Sequence, residues 1–203
     1  MKVSQEEAVV EASILADMFQ SFSQCWNDIH DLYGEAVDRT LEMLHGTDYF
    51  SAPASMSWHG AQPGGLLVHS VNVANALYRL ADEYAERHPK VKPYPHGELA
   101  AIGLLHDVCK CGCYMLQQDG SYTWNPERGI EHGELSKHIV SQFLPLDEEA
   151  LSAIDWHMGM FDHRCVAIGH QPPEYARLDH LYPLVPMTHI ADMIAARVDE
   201  DFL

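Results

Sequence analysis

From Leu66 to Glu86 the apolar residues Val73, Ala76, Leu77 and Leu80 recur three and four positions apart. Residues at that spacing share one face of a helix, so the pattern predicts a long helix with a single buried stripe. A chain organised around such a stripe must cover it with further packed elements. His69 falls on the same face, so a polar ring points inward and needs a partner there. The helical period recurs along the chain. Residues 6–22 place Val9, Ile14, Leu15, Met18 and Phe19 at helical spacing, and residues 34–46 do so with Ala36, Val37, Leu41 and Leu44 before Gly46. Further helices are expected at 97–108, 132–143, 147–158, 174–181 and 185–198, the last with Pro186 at its start, where a missing N–H costs nothing. The segments 47–65, 89–96 and 159–173 are rich in residues that break helices and read as loops. Tyr114-Met115-Leu116 and Tyr122-Thr123-Trp124 flank Asp119-Gly120, which predicts a β-hairpin within 111–131. The fold class expected is all-α, a helical bundle with one small β-hairpin insertion. It forms a single domain over 1–203, with N-terminal helices in 1–46 and the core in 47–203.

Composition narrows the function. The formal charge of −18 argues against a surface that tracks duplex nucleic acid, which needs clustered Lys and Arg. It leaves room for a small phosphorylated molecule, because bound divalent ions supply positive charge locally. No run of about 18 apolar residues occurs, so no membrane span is expected. The polar, acidic start Met1 to Glu7 does not resemble a signal peptide, which makes a cytoplasmic location the expectation. Oligomeric state is not legible. The five cysteines include the run Cys109, Cys111 and Cys113. With no second ligand pair at its own spacing, this run reads as free, redox-sensitive thiols rather than a zinc site, and nearby Lys110 is expected to lower a thiol pKa.

The chain holds 14 histidines, and several sit beside carboxylates or glycines. His106-Asp107 closes the apolar run Ala100 to Leu105, so both side chains can reach one point; imidazole and carboxylate suit divalent transition metals. Asp192 lies among Thr188, Ile190, Ala191, Ala195 and Ala196, where a carboxylate is unfavourable unless a cation or donor meets it. His132 opens one expected helix and His157 closes another. Each residue alone has a plain structural explanation, as a hydrogen-bonded core histidine or a helix-end charge. Together they form four His and two Asp on separate helices, enough for two metals that share a carboxylate.

The stretches Pro63-Gly64-Gly65-Leu66-Leu67-Val68-His69-Ser70, Leu104-Leu105-His106-Asp107-Val108-Cys109-Lys110 and His189-Ile190-Ala191-Asp192 resemble the HD-domain metal-dependent phosphohydrolases, whose signature is H…HD…D in that order. The added His132 and His157 match the two-metal subset, which includes the HD domain of bacterial 3′→5′ exoribonucleases and the HD-GYP phosphodiesterases. The GYP motif is absent, and Trp156 rather than a second His precedes His157, which argues against cyclic di-GMP. The resemblance implies that His69, His106, Asp107 and Asp192 hold a first metal. Asp107 then bridges to a second metal on His132 and His157, and a hydroxide between the metals attacks phosphorus. It also implies catalytic roles for Asp107 and Lys110, with Lys110 on the substrate phosphate. His59 stands in the preceding loop as a phosphate contact or a proton donor. The cofactors expected are one or two divalent ions among Mn, Fe, Ni, Co and Zn. The function expected is hydrolysis of a phosphomonoester or phosphodiester, of nucleotide type. The alternatives are a non-catalytic metal- or nucleotide-binding regulatory module, and a 3′→5′ exonuclease on short single strands. Of the neighbours on the Asp192 helix, His189 is expected to make a supporting hydrogen bond. Arg197, five residues on, is expected to point away.

Overall fold

The computed structural model describes residues 5–128 and 132–200. Helix α1 (Gln5–Tyr33) runs well past the expected end at residue 22. The stripe simply continues, since Phe22, Cys25 and Ile29 are all buried at helical spacing. The positions Val9, Ile14 and Leu15 that mark its start lie outside the described side chains. Next come α2 (Ala36–His45), α3 (Gly65–Arg87) and α4 (His96–Leu105), the last followed by a 3₁₀ turn at Val108–Lys110. The hairpin forms as strands β1 (Tyr114–Leu116) and β2 (Tyr122–Trp124), antiparallel with Met115 opposite Thr123. Residues 129–131 of the stretch expected to hold it lie outside the described residues. The remaining helices are α5 (His132–Val140), α6 (Glu148–Asp155), α7 (His163–Ile168), α8 (Pro173–Leu181) and α9 (Leu184–Ile194).

The 159–173 segment is not the loop its glycines and prolines suggest. It contains a 3₁₀ turn at Gly159–Phe161 and the short helix α7. Asp162 caps α7 by accepting the Arg164 N–H at 2.8 Å, and Gly169 ends it in the left-handed conformation. The second departure is at the end of α9. The helix widens there into a π turn, Ala195–Asp199, closed by the Glu200 N–H on the Ala195 carbonyl at 3.1 Å.

Helix α4 is the centre of the core. Leu99 through Leu105 are all buried, with α1 and α3 packed on it and α9 on α3. Burying each large aliphatic side chain of this kind contributes about 1.5–3 kcal/mol. Gly103 sets the closeness of α3 and α4: a Cβ there would lie 2.4 Å from the Ala74 Cα. Similarly, a Cβ on Gly133 would meet the Asp155 carbonyl oxygen at 1.8 Å, so the start of α5 lies against the end of α6. These two crossings bring four separate helix segments to one place. Among the described residues, no helix is long and apolar enough to cross a membrane.

Candidate metal centre

Four of the predicted residues are fully or almost fully buried: His69 in α3, His106 and Asp107 at the end of α4, and His157 after α6. Three imidazoles are oriented through Nδ1, two of them by the same device. The Nδ1 of His106 meets the Gly103 carbonyl at 2.9 Å, and that of His157 meets the Ile154 carbonyl at 2.7 Å. Each ring is thus fixed by the last turn of its own helix, using a carbonyl that lacks a helical partner. The Nδ1 of His69 meets Glu200 Oε1 at 3.0 Å instead. With Nδ1 carrying the proton, each ring turns an Nε2 lone pair inward.

Those inward atoms converge on carboxylates. The His69 Nε2 lies 3.1 Å from Asp192 Oδ1, and the Nε2 atoms of His106 and His157 lie 3.3 and 3.4 Å from Asp107 oxygens. Yet the Nε2 of His69, His106 and His157, and Oδ1 of Asp107, are all buried without a hydrogen bond. Lone pairs facing carboxylate oxygens out of reach of water repel one another unless a cation or proton lies between them. The protonation preferences carry the same strain. Burial disfavours a charged His69, but the facing carboxylates of Asp192 and Glu200 outweigh it and raise the pKa to about 9. Burial holds His106 below its ordinary value. Burial opposes ionisation of Asp107, but Lys110, its Nζ 2.5 Å away, and His106 hold the carboxyl well below the usual range.

The ligand atoms fall into overlapping groups, each within 4.8 Å: His69, His106 and Asp192; His106, Asp107 and His157; and Asp107, Cys109 and His132. All six predicted residues are therefore brought together, with Asp107 common to two groups. His157 groups with His106 and Asp107, and His132 groups with Asp107 and Cys109, whose Sγ is 3.8 Å from its Nδ1. The donors are imidazole and carboxylate, the chemistry that first-row divalent metals prefer. The residues present thus fit such a metal.

Around this centre opens a cleft of about 370 Å³, lined by His59, Asp107, Lys110, His132 and Asp192 on its floor and by Trp58, Phe161, His189 and Arg197 further out. Burial first, then the charges of His69 and Lys110, lowers the His59 pKa to about 4. A neutral ring at physiological pH fits hydrogen bonding better than proton donation. His189 Nδ1–H donates to the His157 carbonyl, 2.8 Å away, as a supporting contact.

Two residues were missed by helical periodicity. Arg197 lines the cleft after all, because the π turn brings a residue five positions on toward the face of Asp192. The same turn delivers buried Glu200 to His69 and to Asn72 Nδ2, 3.3 Å away. The thiol expectation is also corrected: Cys109, Cys111 and Cys113 are buried, and that burial raises Cys109 to about 12 despite Lys110 and Cys111 to about 11.

The family model described as HD domain matches residues 66–200. A curated relative, a dihydroneopterin 2′,3′-cyclic phosphate phosphodiesterase of Methanocaldococcus jannaschii, is 29% identical over 119 residues. That match covers 58% of this chain and 45% of the relative, so the chain spans less than half the length of that protein. No solved structure matches.

Proposed function

Because this chain belongs to the HD-domain family, we propose that its cleft hydrolyses a small phosphate ester, a nucleotide-like phosphodiester or phosphomonoester, with divalent metal. The observation that carries the reading is that four of the buried, unpartnered atoms, the Nε2 of His69, His106 and His157 and the Oδ1 of Asp107, are aimed at common points. His69, His106, Asp107 and Asp192 would hold one ion, and Asp107, His132 and His157 a second. Ions held there would neutralise phosphoryl oxygens and lower the pKa of a nearby water.

The chain's own residues supply the rest. Asp107 stays ionised because Lys110 and His106 stabilise its charge. Lys110 is held above its ordinary pKa, chiefly by Asp107 against the cost of burial, so it is a permanent cation on the cleft floor. Its ammonium has three donors, and one suffices for Asp107, leaving others for a phosphoryl oxygen. His59 offers a neutral hydrogen bond beside it. The cleft volume lies at the small-molecule end of ligand sites. Among the described residues that line it, Lys110 and Arg197 are the only Lys or Arg, which supports a small substrate over a polymer track. The activity for which the relative is named, on a 2′,3′-cyclic phosphate, puts 2′,3′-cyclic phosphodiesters first in the search.

The test is turnover by metal-stripped protein reloaded with Mn²⁺ or Fe²⁺, against a panel of nucleoside monophosphates and cyclic phosphodiesters. Metal-dependent release of phosphate or ring opening is expected. A fully loaded protein that hydrolyses none of them sinks the reading.

Glu200 would act by positioning His69. A carboxylate on the remote nitrogen of a ligand histidine fixes its tautomer and raises its basicity; losing such a partner costs about 10–100-fold in metal affinity. Glu200→Leu is expected to weaken Mn²⁺ binding by that factor in competition with a chelator, with Glu200→Gln intermediate. Equal affinity in all three proteins removes Glu200 from this role.

A further inference from the structure

The mouth of the cleft carries a large aromatic that the phosphate chemistry does not use. Trp58 is 75% exposed although it lines the same cleft as Asp107 and Lys110. An indole left in water forgoes a large apolar stabilisation. Its backbone is nevertheless held firmly. The Trp58 N–H donates to Ser55 Oγ at 2.9 Å, the Ser55 hydroxyl donates to the His59 carbonyl at 2.8 Å, and the Ala54 N–H donates to the Gly60 carbonyl at 2.8 Å. This closed loop fixes the backbone from which the indole projects, without covering it. The Arg197 guanidinium lies 5.9 Å from the ring centroid, within cation–π range. Phe161, 62% exposed, adds a second aromatic to the lining.

We propose that Trp58 is a stacking platform for a planar heteroaromatic ring at the end of the substrate remote from the phosphate. The inference rests on reading the cleft as a phosphoester site. A flat apolar face, preorganised and solvent-exposed beside a cation, matches the π-face common to all nucleobases and fused heterocycles, which is why such stacking tolerates any base. It gives the cleft a division of labour: the buried end takes the phosphate, which every substrate candidate shares, and the rim selects by the ring.

The experiment measures binding rather than turnover. The probes are the non-hydrolysable phosphonate analogue of AMP and the same ribose phosphonate without a base, titrated into Mn²⁺-loaded protein. Wild type is expected to bind the ring-bearing analogue about 10-fold or more tightly than the base-less one. Trp58→Ala should erase most of that preference, Trp58→Phe should keep most of it, and the base-less analogue should bind all three alike. No preference in wild type, a preference that survives in Trp58→Ala, or equal weakening of both analogues overturns the proposal. If the preference tracks Trp58 while no phosphoester is hydrolysed, the phosphoesterase reading fails and the stacking platform stands.

Discussion

Asp107→Asn is expected to lower phosphoester hydrolysis by at least about 10³-fold, equivalent to roughly 4 kcal/mol of lost transition-state stabilisation, and to cut metal content in the same protein. Asp107 is the carboxylate shared between groups of candidate ligands, and both of its oxygens face imidazole nitrogens. Asparagine keeps the shape but turns one of those oxygens into an NH₂ that cannot ligate. It also removes the carboxylate that holds Lys110 at 2.5 Å. Metal analysis beside kinetics separates the two effects. A variant that keeps full metal and full activity removes Asp107 from the mechanism. A variant that keeps the metal but loses activity puts the cost on the lost charge and on Lys110 placement.

Gly103→Ala is expected to destabilise the protein by about 3 kcal/mol, at the upper end for overpacking, and to lower Tm by about 6–12 °C for a chain of this size. The added Cβ would meet Ala74 at its Cα, 2.4 Å away, and at its backbone nitrogen, 2.6 Å away. Backbone atoms cannot rotate aside, so α3 must shift off α4. The gain in helix propensity, about 1 kcal/mol, offsets only part of this. Because α3 carries His69 and α4 leads to His106, the same shift should weaken metal binding. Thermal unfolding of the metal-free variant isolates the packing cost, and an unchanged Tm would show that the crossing can relax.

The helix-rich fold was legible because most of its helices present one apolar stripe each, and that stripe has a period readable from Val73, Ala76, Leu77 and Leu80. The hairpin was legible for the complementary reason, Asp119-Gly120 between two short β-prone runs. Helix α7 was not, because six residues between a capping Asp and a terminating Gly carry too few apolar positions to show any period. At the centre, His69 and Asp192 stood out as polar groups on faces that should be apolar. Arg197 and Glu200 did not, since a projection at 3.6 residues per turn misplaces any residue beyond a π turn. The thiol expectation failed for a different reason: proximity of Lys110 in sequence says nothing about burial, and burial governs those cysteines.

The ion pair between Lys110 and Asp107 has a consequence for assembly order. A lysine within the chain already acts as counter-ion to the most central carboxylate, and Glu200 already engages His69. Metal-stripped protein is therefore expected to keep its fold, unlike small domains that collapse only around zinc. A metal would then meet a formed scaffold and compete with an ammonium group for Asp107. Occupancy would follow the supply of each metal in the surroundings, so protein prepared from differently supplemented cells should differ in its metal and not in its fold.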